Sequence, residues 1–289
     1  VIVMKIDLSR LKLVRRGKVK DIYFLDDEKL LFHFTDRVSA FDIVLPSNIP
    51  FKGEVLCRMT AFWFRYLEDK LGVEHHMLWI EPPNCMVVRK LEMIPIEFVV
   101  RGYIYGSLYE RMLRGEVNLP VEPILAAKLP EPILDPTTKF EEKDRPITRE
   151  EAIARSWVTP SEYDDLEDLS ISIYKTMSRR AEEVGFILAD LKLEFGRYGG
   201  RIILGDSIGP DEFRLWVKLS YSPNRPQDSF DKQPVRDWLD RIGYRSRLEE
   251  ARRKGETIPE PPNLPKELIK EVSRRYIEAY EKLSGERFR

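Results

Sequence analysis

The sequence predicts an α+β protein, with a β-rich N-terminal lobe over residues 1–92 and a larger mixed lobe over 93–289. Three observations predict it. Short runs of β-branched and aromatic residues fill the first ninety or so positions, separated by turn formers. Helical spacing takes over from about residue 161. A glycine-rich turn then joins two apolar runs, 186–195 and 201–206, as a hairpin.

In chain order, DIYFLDD (21–27), KLLFHFTD (29–36) and FDIVLPS (41–47) are strands. The segment 54–71 is a helix closed by Gly72. Residues 86–107, MVVRKLEMIPIEFVVRGYIYGS, form two strands around a break near Pro95, because proline supplies no ladder N–H. Leu119 to Pro146 carries Pro120, Pro123, Pro130, Pro132, Pro136 and Pro146 and few periodic apolar positions. It is expected to be a long ordered loop or a lid. Leu166, Leu169, Ile173, Met177 and Val184 keep helical spacing up to Gly185. Pro265 opens a last helix with Leu268, Val272, Tyr276, Tyr280 and Leu283 on one stripe, ended by Gly285.

The bulk properties exclude several classes of function. Lys plus Arg number 48 against 49 Asp plus Glu, for a net charge of −1, which argues against a nucleic-acid binder working by bulk charge. No apolar run approaches the roughly 20 residues of a membrane span. The start, VIVMKIDLSR, lacks the long apolar segment of a signal peptide. Cys57 and Cys85 have no metal-ligand spacing, and two cysteines make no disulfide framework, so a soluble cytoplasmic protein is expected.

Four stretches could carry chemistry. VRRGKVKDIYFL (14–25) puts Gly17 at a turn beside Lys18 and Lys20, a possible phosphate contact, although a surface hairpin is the more ordinary explanation. VVRGYIYGS (99–107) offers Arg101 and Ser107 on a turn loosened by glycines. That suits a phosphate clamp and equally an arginine paired across a sheet. SPNRPQDSFDKQPVRDWL (222–239) leads from a polar loop into a helix, with Asp231, Lys232 and Arg236 placed to deliver charge. His75 and His76 follow the first long helix, where a charge at a helix C-terminus is more natural than metal ligation.

The fourth stretch is ADLKLEFG (189–196), where Asp190, Lys192 and Glu194 alternate with Leu191, Leu193 and Phe195. A strand would put the charges on one face and the apolar residues on the other. With GRYGG (196–200) as a five-residue turn, Phe195 pairs with Arg201 and Glu194 with Ile202. Asp206 then shares the charged face but lies four residues beyond Ile202. One cation would not reach both Glu194 and Asp206 without a bulge near Gly205, and two ions would be the alternative. A solvated strand face laced with ion pairs explains the same pattern.

GKVKDIY (17–23), TDRVSAFDIVLP (35–46), VVRGYIYGS, DPTTK (135–139), LADLKLEFG (188–196), PDEFRLW (210–216) and SFDKQPVRDWL (229–239) occur in one order. Together they resemble the phosphoribosylaminoimidazole-succinocarboxamide synthase (SAICAR synthetase) family of purine biosynthesis. The resemblance implies an ATP- and Mg²⁺-dependent ligase joining carboxyaminoimidazole ribotide (CAIR) to L-aspartate, with release of ADP and phosphate. It implies a small, largely antiparallel kinase-like lobe and an ATP-grasp-like lobe, with the nucleotide in the cleft between them. Homo-oligomerisation is left open, and no nucleic-acid or membrane partner is implied. By the same resemblance, Gly17, Lys18 and Lys20 contact ATP phosphates, and the backbone of Arg89, Lys90 and Leu91 reads adenine. Glu194 and Asp206 ligate Mg²⁺. Arg101, Ser107 and Arg214 clamp the ribotide phosphate, and Asp42 meets its imidazole. Asp190 and Lys192 line the CAIR site as catalytic candidates, and Lys232 and Arg236 take substrate carboxylates.

The chain departs from the family pattern at Ser207, where an acidic residue is common, at Glu212 and Phe213 before Arg214, and at EEKDRPI (141–147). A small-molecule kinase of related architecture is the rival, and VVRGYIYGS and SFDKQPVRDWL weigh against it. A non-enzymatic RNA- or partner-binding protein would lack both the charge and the stacking motif it needs.

Overall fold

The computed structural model describes residues 6–141 and 144–289. The VIVMK start of the segment tested for a signal peptide, and Glu142 and Lys143 of EEKDRPI, lie outside them. The fold is α+β with antiparallel strand pairing, and the chain divides into two compact units.

The first unit begins with β1 (Lys12–Arg16), β2 (Lys20–Phe24) and β3 (Lys29–Phe34), followed by the hairpin β4 (Arg37–Ala40) and β5 (Ile43–Asn48). The helix α1 (Lys52–Leu71) follows, and its first part, up to Phe62, belongs to this unit. β6 (Met77–Glu81) and β7 (Cys85–Arg89) complete a five-stranded antiparallel sheet in the order β1-β2-β3-β7-β6. Its centre is closed by Leu31, Met86, Val87 and Val88, all fully buried.

The second unit is built on β8 (Glu92–Tyr103). The break expected at Pro95 falls instead at Lys90 and Leu91, and Pro95 sits inside a single long strand. There the register slips against the neighbouring strand, which is the setting in which a sheet tolerates a residue without an N–H. α2 (Ser107–Leu113), β9 (Lys128–Leu134) and β10 (Thr137–Thr138) come next. The segment 119–146 is therefore not a loop or lid throughout, because β9 and β10 both pair with β8. Its prolines hid those strands. α3 (Arg149–Ala154) and α4 (Pro160–Glu183) follow, the latter opened by a Thr159–Glu162 capping box.

β11 (Phe186–Tyr198) lies between β8 and a second neighbour on its other edge, first β13 (Phe213–Val217) and then β12 (Arg201–Leu204). The turn after β11 is the two-residue Gly199-Gly200, both at positive φ, not the five-residue GRYGG. Phe195 consequently pairs with Leu204 rather than Arg201. Gly196 is spent on packing instead: a Cβ there would stand 2.7 Å from the Leu91 Cβ.

The chain ends in α5 (Gln233–Arg241), α6 (Tyr244–Lys254) and α7 (Lys266–Ser284), which belong to the first unit. α7 buries Val272, Tyr276, Tyr280 and Leu283 as its spacing requires and stops at Gly285 in the left-handed region. His75 and His76 do not act as an exposed charge after α1. His75 stacks on Phe64 with centroids 4.9 Å apart, and His76 is buried edge-on to Phe32.

Gly102 of the VVRGYIYGS strand carries its own constraint. A Cβ would come within 1.8 Å of the Tyr174 hydroxyl, which donates to the Leu188 carbonyl at 2.6 Å and seats α4 on the sheet. Gly102→Ala should therefore cost about 1–3 kcal/mol in urea unfolding. Tyr174→Phe alone should cost about 1 kcal/mol. The two losses combined in one protein should fall short of their sum, and strict additivity would contradict this contact.

Candidate active site

The alternation of β11 leaves neither face wet. Leu191, Leu193 and Phe195 are buried in the core on one side. On the other, Asp190 is 5% exposed and Glu194 2%. Ionised carboxylates at that depth are tolerated only with charged, hydrogen-bonded partners. The neighbouring strands supply them in two clusters.

The first cluster is an arginine cage. Asp190 pairs in register with Arg101 of β8 on one side and with Arg214 of β13 on the other. Both guanidiniums donate to its Oδ2, Arg101 at 3.2 Å and Arg214 in a still closer bond. Arg101 also donates Nε to Asp135 at 3.0 Å and an NH2 to the Ser107 hydroxyl at 3.0 Å. Arg111 of α2 reaches both oxygens of Asp135 at 2.6 Å. Three guanidiniums and a hydroxyl thus converge with only two carboxylates, an excess of positive charge in planar forks suited to a phosphate. Gly106, at φ +57, admits Arg214, because a Cβ there would lie 2.6 Å from its guanidinium.

The second cluster is a cation pocket. The corrected register sets Gly205 against Glu194, its N–H donating to the Glu194 carbonyl at 2.8 Å. Asp206 follows in the left-handed region, at φ +52, a conformation that aspartate tolerates. Glu194 and Asp206 therefore meet, where the five-residue turn had set them apart. The Lys139 ammonium lies between them, bonded to Glu194 Oε2 and 3.9 Å from Asp206 Oδ2. One ammonium thus lies within ion-pair distance of both carboxylates. Lys192 donates to Glu194 Oε1 at 2.8 Å and to Glu97 Oε1 at 2.9 Å, and Thr137 donates to Glu97 Oε2 at 3.0 Å. Burial alone would depress the Lys192 ammonium, but the charges of Glu97, Asp206 and Glu212 hold it well above the ordinary lysine range. Among the described residues no group of three or more Asp, Glu, His or Cys is placed to hold a metal. A pair is what Mg²⁺ commonly takes, with phosphate and water completing its shell.

A family model described as SAICAR synthetase matches residues 13–251. The chain belongs to the SAICAR synthetase family.

A relative from Nitrosopumilus maritimus (strain SCM1), phosphoribosylaminoimidazole-succinocarboxamide synthase, is 51% identical over 271 residues, 93% of this chain and 97% of its own length. A solved SAICAR synthase from Saccharomyces cerevisiae, complexed with SAICAR, is 32% identical, covers 99% of both chains and superposes with a TM-score of 0.82. A SAICAR synthetase (Type-2) solved in complex with ADP is 27% identical, covers 95% of this chain and 99% of its own, and gives 0.72.

The remaining residues that the SAICAR synthetase resemblance singles out lie in the first unit, apart from Leu91, which packs beneath Gly196 and Gly205. The Gly17 turn is tied by Arg37, whose guanidinium donates to the Gly17 and Lys18 carbonyls. Lys20 lies 4.5 Å above the Phe32 ring. Phe41 and Asp42 form the β4–β5 turn, both at positive φ, which a phenylalanine rarely accepts. Arg252 holds it by donating to the Phe41 carbonyl at 2.9 Å. Burial would raise the Asp42 carboxyl, but its bond to Lys18 and the charges of Lys18, Arg252 and Lys232 hold it below the usual range. Lys232 precedes α5 at its N-terminus, and Arg236 in its first turn donates to the Gln233 side-chain oxygen. The Arg89 and Lys90 amides donate to the His76 and Glu28 carbonyls, both at 2.7 Å.

Nothing in residue type or short spacing singles out Glu97, Arg111, Asp135 or Lys139 as functional. Only DPTTK, which contains Asp135 and Lys139, pointed towards two of them.

Lys192→Met would leave Glu97 and Glu194, which face each other in register, with less cation between them. It should lower stability by about 2 kcal/mol or more in denaturant titration at neutral pH. Because folding raises the Lys192 pKa, its stabilisation is fully present below the ordinary lysine value of about 10.4 and is lost as pH rises through the folded value. The gap between wild type and variant should thus be flat from about pH 7 to 9 and narrow only in stronger alkali. A gap that closes by pH 8 would contradict the assignment.

Proposed function

We infer that the protein is an ATP-dependent ligase of purine biosynthesis, joining the carboxylate of CAIR to the amine of L-aspartate to give SAICAR, ADP and phosphate. The observation that carries the reading is the near-full-length likeness to synthases of that name, one of them solved with SAICAR. The arginine cage and the cation pocket on one strand face are the chemistry such a reaction needs.

A carboxylate is a poor acyl donor because its oxyanion leaves badly. Transfer of the ATP γ-phosphoryl group to the CAIR carboxylate makes a mixed anhydride. The aspartate amine then attacks the carbonyl carbon, the C–N bond forms, and phosphate departs with the C–O electron pair. Catalysis is then mostly positioning and charge stabilisation. Arg101, Ser107 and Arg214 would hold the ribotide phosphate, which would replace carboxylate partners they now share. Asp190 is gripped by two guanidiniums. Its role is to position the arginines, and the departing phosphate is the better acceptor for the amine's proton. Lys192 would face the reacting carboxylate as a fixed positive charge.

Glu194 and Asp206 would hold Mg²⁺, whose charge would screen the ATP phosphates and polarise the transferred phosphoryl group. Gly17, Lys18 and Lys20 would meet the phosphates. Adenine would be read by the backbone groups at 89–91 other than the two committed amides. Asp42 would accept from the CAIR imidazole substituents, with Lys232 and Arg236 taking carboxylates. The kinase-like description of the first unit and the ATP-grasp-like description of the second belong to this reading, as does a cytoplasmic setting. The antiparallel sheet with its glycine turn supports the first of these. No helix among the described residues is long and apolar enough to cross a membrane.

Phosphate release should require ATP, Mg²⁺, CAIR and aspartate together. ADP formation without phosphate release would favour a kinase, and phosphate release that runs equally fast without aspartate would sink the ligase. Glu194→Gln should abolish turnover while the circular dichroism spectrum stays native. Arg101→Ala should raise the KM for CAIR by roughly 30-fold, about 2 kcal/mol. The KM for ATP should barely move, and equal effects on the two would contradict the clamp.

A further inference from the structure

Lys139 occupies the position that the metal reading reserves for a divalent ion. Its ammonium bonds Glu194 and lies 3.9 Å from Asp206, and its side chain is only 17% exposed. The backbone beneath it is anchored: the Lys139 N–H donates to the Pro95 carbonyl at 3.1 Å, and the Thr138 N–H to the Arg145 carbonyl at 2.8 Å. Only the side chain has to move for the pocket to open. The Phe140 ring, 53% exposed and 5.3 Å from the ammonium, gives that flexible chain a second surface to lie on.

We propose that Lys139 is a built-in counter-ion that closes the cation pocket before substrate arrives, and that a divalent ion enters by displacing it. This rests on the reading of Glu194 and Asp206 as the metal pair. The physical consequence is a coupling between metal and nucleotide. A bare divalent ion must expel one cation from between two carboxylates and itself supplies no anionic oxygens in exchange. A divalent ion arriving with a polyphosphate brings negative oxygens to which the released ammonium can turn. Differential affinity of this kind makes each ligand favour the other. Lys139 thereby offsets part of the pocket's negative charge while it is empty, and it selects the metal–nucleotide complex over the free ion.

The test is calorimetric binding of Mn²⁺ alone, without nucleotide, to wild type, Lys139→Met, Lys139→Arg and Glu194→Gln, repeated with saturating ADP. Lys139→Met should bind Mn²⁺ at least about tenfold more tightly than wild type, about 1.4 kcal/mol, because nothing has to be displaced. ADP should improve Mn²⁺ affinity in wild type and much less in Lys139→Met. Lys139→Arg, which keeps the charge, should stay near wild type. In thermal unfolding, metal-free Lys139→Met should melt below wild type and recover on addition of Mn²⁺. Should that variant not fold without metal, Lys139→Gln, which retains a donor, takes its place in the same titration. Unchanged or weaker Mn²⁺ binding by the neutral variants, with binding abolished in Glu194→Gln, would overturn the counter-ion and leave the metal pair standing. Wild-type binding by Glu194→Gln would overturn both.

Discussion

Two ionised carboxylates buried on one face of one strand set the terms for the second unit. Asp190 and Glu194 have almost no access to water, so each needs cationic partners brought by other segments of chain. Arg101 comes from β8 and Arg214 from β13, while Lys139 arrives just after β10. Lys192 comes from β11 itself. Were any of these strands out of register by one residue, its charge would face the opposite side and a carboxylate would be stranded. The same requirement that holds the sheet in register therefore assembles the site.

Backbone geometry does the finer placement. The two-residue Gly199-Gly200 turn brings β12 back so that Gly205 meets Glu194, and a left-handed Asp206 turns its carboxylate towards the same ammonium. The β4–β5 turn presents Asp42 through a positive φ at Phe41, held from α6 by Arg252 and by Arg245 over the ring at 5.0 Å. Strained residues of this kind persist only where their surroundings over-determine them, and they concentrate at functional sites. Gly106 serves a different purpose, leaving room for a guanidinium where a side chain would collide.

The division between what was legible in the chain and what was not follows interaction range. The long helices were readable because their stripes and stops are local: Gly72 follows α1, Gly185 follows α4 and Gly285 closes α7. β9 and β10 were not, since prolines masked strands whose pairing is with β8, distant in sequence. The hairpin shows the same limit. The two glycines were seen, but where the turn began depended on Gly196, whose packing against Leu91 belongs to the tertiary fold. Sequence order brought Asp190, Lys192, Glu194, Arg101 and Arg214 forward as candidates. Arg111, Glu97 and Lys139 acquire meaning only through the neighbours that folding supplies.

By itself the sequence determined the α+β class, the alternation that puts three charges on one face of β11, and the ordered motifs of the SAICAR synthetase family. These are carried by residue type and short spacing, which a linear chain already contains. Only the tertiary structure decided that the charged face is buried, that Asp190 is held by two arginines, and that Glu194 and Asp206 share a single cation. The physical reason is register. A shift of a few residues between β11 and β12 is invisible in composition, yet it sets whether two carboxylates stand apart or meet.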